Sequence, residues 1–215
     1  MAPFNVSATC LLIVDMQNDY MLPDGYFARR GANTEPIRRI VPTIRRLLLQ
    51  ARTVGMPIIF TRFTLLDGLP DIPDLHANAL GRHFRSIEKR LVRGTKGAEI
   101  VDELAPRPGE VIIPRLALSA FYQTELELIL RRLGIKTLII TGYATQACVL
   151  HTAYDGFARD FDIIMVRDGV GTFYAALQEP VLEIVDVLLG HTLTADEILS
   201  DLTEALVEPL IQCQD

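Results

Sequence analysis

The stretch Thr137–Phe157, TLIITGYATQACVLHTAYDGF, decides the fold and locates the chemistry. It opens on TLIIT, uncharged and made of β-branched residues and leucine, which is the composition of a parallel strand buried on both faces. Gly142 is expected to break that strand. Thr145 is expected to N-cap the segment QACVLHTAYDGFAR, whose apolar spacing is helical. Cys148 then lies in the first turn of a helix entered directly from a core strand. There a sulfur meets unpaired backbone N–H groups and the positive end of the helix dipole, and both activate it as a nucleophile. The competing reading is a small buried hydrophobe, the commonest fate of a free cysteine. The strand, glycine and cap that precede Cys148 give it a chemical reading instead.

Working outward, strands and helices alternate. CLLIV (Cys10–Val14) is an apolar run closed by Asp15, and DMQNDYMLPDGYFARRGAN after it is a polar loop. TEPIRRIVPTIRRLLLQARTVG puts Ile37, Ile40, Val41, Ile44, Leu47 and Leu48 on one helical face. Pro36 suits its first turn, Pro42 implies a kink or break, and Gly55 a stop. MPIIFTR (Met56–Arg62) is a second strand, and residues 63–97 are unpatterned, as a loop covering a site would be. A short helix over Ala98–Leu104, the strand VIIPR ending at Arg115, and a helix over Tyr122–Leu133 follow. Beyond the Cys148 helix come the strand DIIMVRD ending at Asp168, a helix over Ala175–Leu189, the short strand HTLT and a closing helix over Ala195–Ile211.

This alternation, with continuous apolar strands, predicts an α/β fold: a three-layer α/β/α sandwich around a six-stranded parallel sheet. In such sheets ligands collect at the carboxyl ends of the strands where strand order reverses. With the order 3-2-1-4-5-6 that point lies between the first strand, ending at Asp15, and the fourth, leading into Cys148. A base and a nucleophile therefore converge on topology alone. At 215 residues and 24.0 kDa the chain is expected to form one domain, 1–215. A net charge of −6 gives no electrostatic case for nucleic acid or an anionic membrane. No apolar run approaches the roughly 18–20 residues of a membrane span. No signal peptide is read at the start of the chain, and three cysteines suit a reducing, cytoplasmic setting better than a disulfide framework.

LLIVDMQNDY, together with PGEVIIPRLALSAFYQTELELILRRLGIKTLIITGYATQACVLHTAYDGF, resembles the isochorismatase-like cysteine hydrolases. The resemblance runs from Thr9 to about Leu199, and RGTKGAEIVDELAPRPGE is similar to the branch holding ureidoacrylate and N-carbamoyl amidohydrolases. It implies a Rossmann-like six-stranded sheet and hydrolysis of C–N bonds in small amide, carbamoyl or ureido compounds through a Cys–Asp–Lys triad. Carried onto this chain, Cys148 is the nucleophile and Asp15 the acid/base partner. A cis peptide is implied between Tyr143 and Ala144, which turns the Ala144 N–H toward the same point as the Cys148 N–H to form an oxyanion hole. No cofactor is implied, and a homo-oligomer, dimer or tetramer, is.

The chain departs from the family at the lysine. The family places it four residues before the serine of an S-(A/G)-F motif, here Ser119, Ala120 and Phe121, so the position holds Arg115. Arginine keeps the charge but is planar and suited to a two-pronged grip on a carboxylate. A grip of that kind on Asp15 would hold it ionised, so Arg115 either supports an altered activity or marks a lost one. Other lysines are Lys89, Lys96 and Lys136, of which Lys136 precedes its strand at the wrong end of the sheet.

Gln17 is a candidate pocket residue, as are Tyr26, Phe27, Phe121 and Tyr143, whereas Asp19 is read as a tether to loop backbone. The family's metal-binding members carry an Asp-x-His with a further histidine. RFTLLDGLPDIPDLHANALGRHF, with His76 and His83, does not reproduce that spacing, and no metal is expected. Besides the favoured amidohydrolase, two readings stand. One is a vinyl ether hydrolase of isochorismatase type, which Cys148 argues against; the other is a silent homologue that binds a ligand or senses redox state, which Arg115 favours.

Overall fold

The computed structural model describes residues 5–65 and 91–211, with side chains up to residue 203. His76, His83, Lys89, Cys213 and most of the unpatterned loop lie outside the described residues. Six strands form one parallel sheet: β1 (Thr9–Val14), β2 (Ile58–Phe63), β3 (Val111–Arg115), β4 (Thr137–Tyr143), β5 (Asp162–Gly171) and β6 (Gly190–Leu193). Their order across the sheet is 3-2-1-4-5-6, the order expected from the sequence.

The two faces of β1 show how the layers are built. Leu11 and Ile13 point into one core with Ile44, Leu47 and Leu48 of α1 (Val41–Thr53) and Ile198 and Leu202 of α5 (Ala195–Ile211). Cys10, Leu12 and Val14 point into the other, with Leu126 and Leu130 of α2 (Leu126–Arg132), Ala153 of α3 (Leu150–Phe157) and Leu182 of α4 (Gln178–Ile184). Period-two alternation along the apolar run Cys10–Val14 thus feeds both hydrophobic layers. Among the described residues no helix is long and apolar enough to cross a membrane.

Several element bounds differ from expectation, each for a local reason. The helix read from Thr34 is split into Glu35–Arg38 and α1, with Pro42 in the first turn of the second piece, so the proline makes a break. The polar loop after Asp15 contains two single turns of helix, Asn18–Met21 and Tyr26–Arg29. The short helix over Ala98–Leu104 is two tight turns, Lys96–Ala98 and Asp102–Leu104. α2 starts four residues later than expected and Leu133 is 47% exposed, not part of its buried face. The helix over Ala175–Leu189 narrows to α4, with a tight turn before it and a wide π turn after it.

Gly142 does not end β4, which runs on to Tyr143. Its φ is +115°, and a Cβ there would sit 2.1 Å from the Val14 carbonyl oxygen. The glycine lets β4 pass against the backbone of β1 while staying paired to it, Val14 opposite Gly142. Its place in the sequence reads as a stop because the reason for it lies on another strand.

Candidate active site

The carboxyl ends of four neighbouring strands supply one buried cluster. Asp15 follows β1 directly, with φ +50°, a left-handed conformation uncommon outside glycine and better tolerated by Asp than by most residues. Its carboxylate is fully buried and both oxygens are held. Oδ1 accepts a hydrogen bond of 2.7 Å from the Thr61 hydroxyl on β2, and Oδ2 accepts one from Nη2 of Arg115, the last residue of β3. Nη1 of Arg115 donates to the Ala117 carbonyl. The guanidinium also interacts electrostatically with Cys148, on the turn that leaves β4. Asp15, Arg115 and Cys148, from three elements, thus share one buried electrostatic cluster.

Burial pulls the Arg115 pKa below its ordinary value, and its electrostatic interaction with Cys148 opposes that. Arginine starts so high that it stays cationic. Its grip on Asp15 is not the two-pronged one anticipated: one fork nitrogen is turned to Ala117, and Thr61 occupies the second carboxylate oxygen. The ring of Phe63 lies 5.4 Å from the guanidinium carbon, completing an apolar and aromatic casing. Arg115 Nε is buried without a hydrogen-bond partner. Neither described alternative lysine competes for the position. Lys96 is exposed on its loop, and Lys136 is exposed before β4, at the far end of the sheet.

The turn carrying Cys148 differs from the expected α-helical cap. Thr145–Val149 is one wide π turn that leads into α3, and Thr145 makes no capping hydrogen bond. Its hydroxyl donates instead to Gln178 of α4 at 2.9 Å, and Gln178 in turn donates to the Val170 carbonyl of β5. A hydroxyl that reads locally as a cap is claimed by a helix far along the chain. π turns are frequent at functional sites. The Tyr143–Ala144 peptide before it is cis, the geometry the resemblance implies.

Of the pocket residues expected from sequence, Tyr26, Phe27 and Tyr143 cluster near Ala144, joined by Tyr20 and Phe173. Ring centroids are 4.5 Å apart for Tyr20 and Tyr143, 5.1 Å for Tyr143 and Phe173, and 5.1 Å for Tyr20 and Phe27. Phe121 is elsewhere. It packs on the other face of the sheet against Phe161, with Arg159 over its ring, in the hydrophobic layer that also holds Cys148. Gln17 is turned to backbone groups. Its side-chain amide donates to the carbonyls of Phe63 and Ala98 and accepts from the Phe63 N–H, which spends it on stapling the loop to β2. Asp19 is the tether expected, accepting from the N–H groups of Tyr26 and Leu91.

Sequence reasoning missed Thr61, Tyr20 and Phe173. Thr61 carried one signal, a hydroxyl directly after the apolar run IIF, but threonine is also a common strand former.

The sequence model of the isochorismatase domain matches residues 9–197. A ureidoacrylate amidohydrolase of Methylorubrum extorquens is 34% identical over 199 residues, covering 87% of this chain and 79% of that protein. Among solved structures, a cysteine hydrolase from Pseudomonas syringae pv. phaseolicola superposes with a TM-score of 0.81 at 26% identity, over 95% of this chain and 97% of its own. An N-carbamoylsarcosine amidase from Thermoplasma acidophilum superposes with a TM-score of 0.71 at 26% identity, over 87% and 96%. With its sheet order, its buried Asp–Arg–Cys cluster and a family match over nearly its whole length, the chain belongs to the isochorismatase family of hydrolases.

Proposed function

We propose that this chain is a cysteine hydrolase that cleaves a C–N bond, amide, carbamoyl or ureido, in a small molecule. The observation that carries the reading is Arg115 reaching both Asp15 and Cys148 inside one buried cluster. A thiol, a carboxylate able to take its proton and a fixed cation are the parts that acyl transfer to sulfur requires. Asp15 takes the thiol proton as the Cys148 sulfur attacks the substrate carbonyl carbon. The N–H groups of Ala144 and Cys148 hold the developing oxyanion. Asp15 gives its proton to the departing nitrogen, the C–N bond breaks, and a thioester remains on Cys148. Water attacks that thioester, Asp15 takes a proton from it, and the proton returns to the sulfur as the acid leaves.

Arg115 stands in the place of the family's lysine and keeps its charge through the cycle. Because Arg115 meets Asp15 with a single nitrogen, the carboxylate is not locked by a fork and can still cycle its proton. Tyr20, Tyr26, Phe27, Tyr143 and Phe173 supply an apolar wall for the substrate. The scheme uses no cofactor. The free thiols Cys10 and Cys148 fit a reducing compartment, and we place the protein in the cytoplasm. The names of the two amide-cleaving relatives put ureido and N-carbamoyl acids first on a test panel. The test is ammonia release from that panel and from simple amides. Wild-type turnover should vanish in Cys148→Ala, with an acyl adduct on Cys148 visible by mass spectrometry after rapid quench. A wild type silent on every compound, or a Cys148→Ala variant that still turns over, overturns the reading.

A further inference from the structure

We infer that Thr61 is a positioning residue that sets the protonation and orientation of Asp15. The inference rests on the hydrolase reading above and adds to it a residue outside the Asp–Arg–Cys set. Thr61 is fully buried in β2, opposite Val14 in register, and its hydroxyl donates to Asp15 Oδ1 at 2.7 Å. Its own carbonyl accepts from the Asp15 N–H at 3.3 Å, so one residue fixes both the backbone and the side chain of Asp15.

The chemistry needs such a residue because the second oxygen of Asp15 is held by a guanidinium, which only donates. A carboxyl group that accepts a proton from sulfur and hands it to nitrogen must be stable both with and without that proton. The Thr61 hydroxyl serves both forms. It donates to the ionised carboxylate and, by rotating, accepts from the protonated acid. Thr61 itself neither gains nor loses a proton over the cycle. The charged group in contact with Asp15 is Arg115 from β3, which in turn interacts with Cys148 on the turn after β4. Arg62 is the next residue of β2 and, by alternation, points to the other face, while the Asp19 carboxylate is taken up by the N–H groups of Tyr26 and Leu91. Among the described residues Thr61 is the hydrogen-bond donor to Oδ1.

The test compares Thr61→Val, which keeps shape and removes the hydroxyl, with Thr61→Ser, which keeps the hydroxyl. Thr61→Ala repeats the deletion should the valine variant fail to fold. In Thr61→Val, kcat should fall about tenfold and the acid limb of kcat/KM should move up by about one pH unit, because the ionised carboxylate has lost one of two donors. Thr61→Ser should track the wild type in both. The same comparison is run on the rate of Cys148 alkylation by iodoacetamide against pH, which reads the coupled Asp15–Cys148 pair without turnover. An unmoved acid limb in the folded valine or alanine variant, or a serine variant displaced as far as valine, overturns the inference. Failure of the hydrolase reading shows separately, as absent ammonia release in the wild type.

Discussion

Arg115 concentrates the energetics of the site in one side chain. A buried ion pair adds little net stability, but removing one partner leaves the other charge uncompensated, at a cost of about 3–5 kcal/mol. Asp15 and Arg115 are both fully buried at the side chain, so Arg115→Met should destabilise the fold by about that amount in urea titration. A methionine variant as stable as wild type would mean the pair is not what holds the strand ends together. Arg115→Lys makes the opposite kind of change. An ammonium has three donors, enough for Asp15 and the Ala117 carbonyl, and it removes the Nε that stands without a partner. Relief of an unsatisfied buried donor is worth about 1–3 kcal/mol, which offsets the loss of guanidinium packing on Phe63. The lysine variant should therefore fold as well as wild type and keep kcat/KM within about tenfold. Activity that appears only in the lysine variant would identify Arg115 as a residue that switches the centre off.

At the scale of elements, the spacing between β1 and β4 sets the distance between base and nucleophile, and Gly142 sets that spacing. Any Cβ at position 142 meets the Val14 carbonyl oxygen, a backbone atom that cannot turn aside. Gly142→Ala should cost at least about 2 kcal/mol, from the positive φ and the forced separation together. It should also lower kcat more than it raises KM, because the displaced strand end carries Asp15 away from Cys148. An alanine variant with wild-type stability and kcat would remove Gly142 from this role. The same residue shows where the sequence was legible and where it was not. The apolar runs, their alternation with amphipathic helices and the convergence of Asp15 with Cys148 follow from composition and topology rules that act locally. Gly142 as a close-approach residue, Thr145 as a partner of Gln178 and Thr61 as a partner of Asp15 are set by contacts between segments far apart in the chain. A single sequence offers no local signal for the first two, and for Thr61 only a hydroxyl beside an apolar run. Phe121 is a further case, since its packing against Phe161 in the layer that holds Cys148 joins segments distant in the chain.

Taken as a whole molecule, the fold treats its two described cysteines in opposite ways within one hydrophobic layer. Cys148 lies at the carboxyl edge of the sheet and interacts with the Arg115 cation, whereas Cys10 lies mid-layer on β1. Burial pushes the Cys10 thiol from 9.0 up to about 12, only partly opposed by a hydrogen bond with the Ile59 backbone. The neutral thiol is therefore the form the fold favours. The raised value means that between its ordinary pKa and about 12 the native state holds a proton that the unfolded chain has released. Stability is thus unaffected by Cys10 below that window and falls through it as pH rises, by up to about 4 kcal/mol at the upper end. Tyrosine and lysine titrations act in the same range, so the measurement is a difference: urea unfolding of wild type and Cys10→Val from neutral pH upward. Valine fills a similar volume without an ionisable group, so the wild type should lose stability relative to the variant as pH climbs above about 9. Peptide mapping after iodoacetamide treatment should find Cys148 alkylated while Cys10 is intact in the native protein and modified once urea unfolds it. A stability difference flat across the alkaline range, or native-state labelling of Cys10 as fast as that of Cys148, would show that the layer does not seal β1, and the distinction drawn between the two thiols would fall with it.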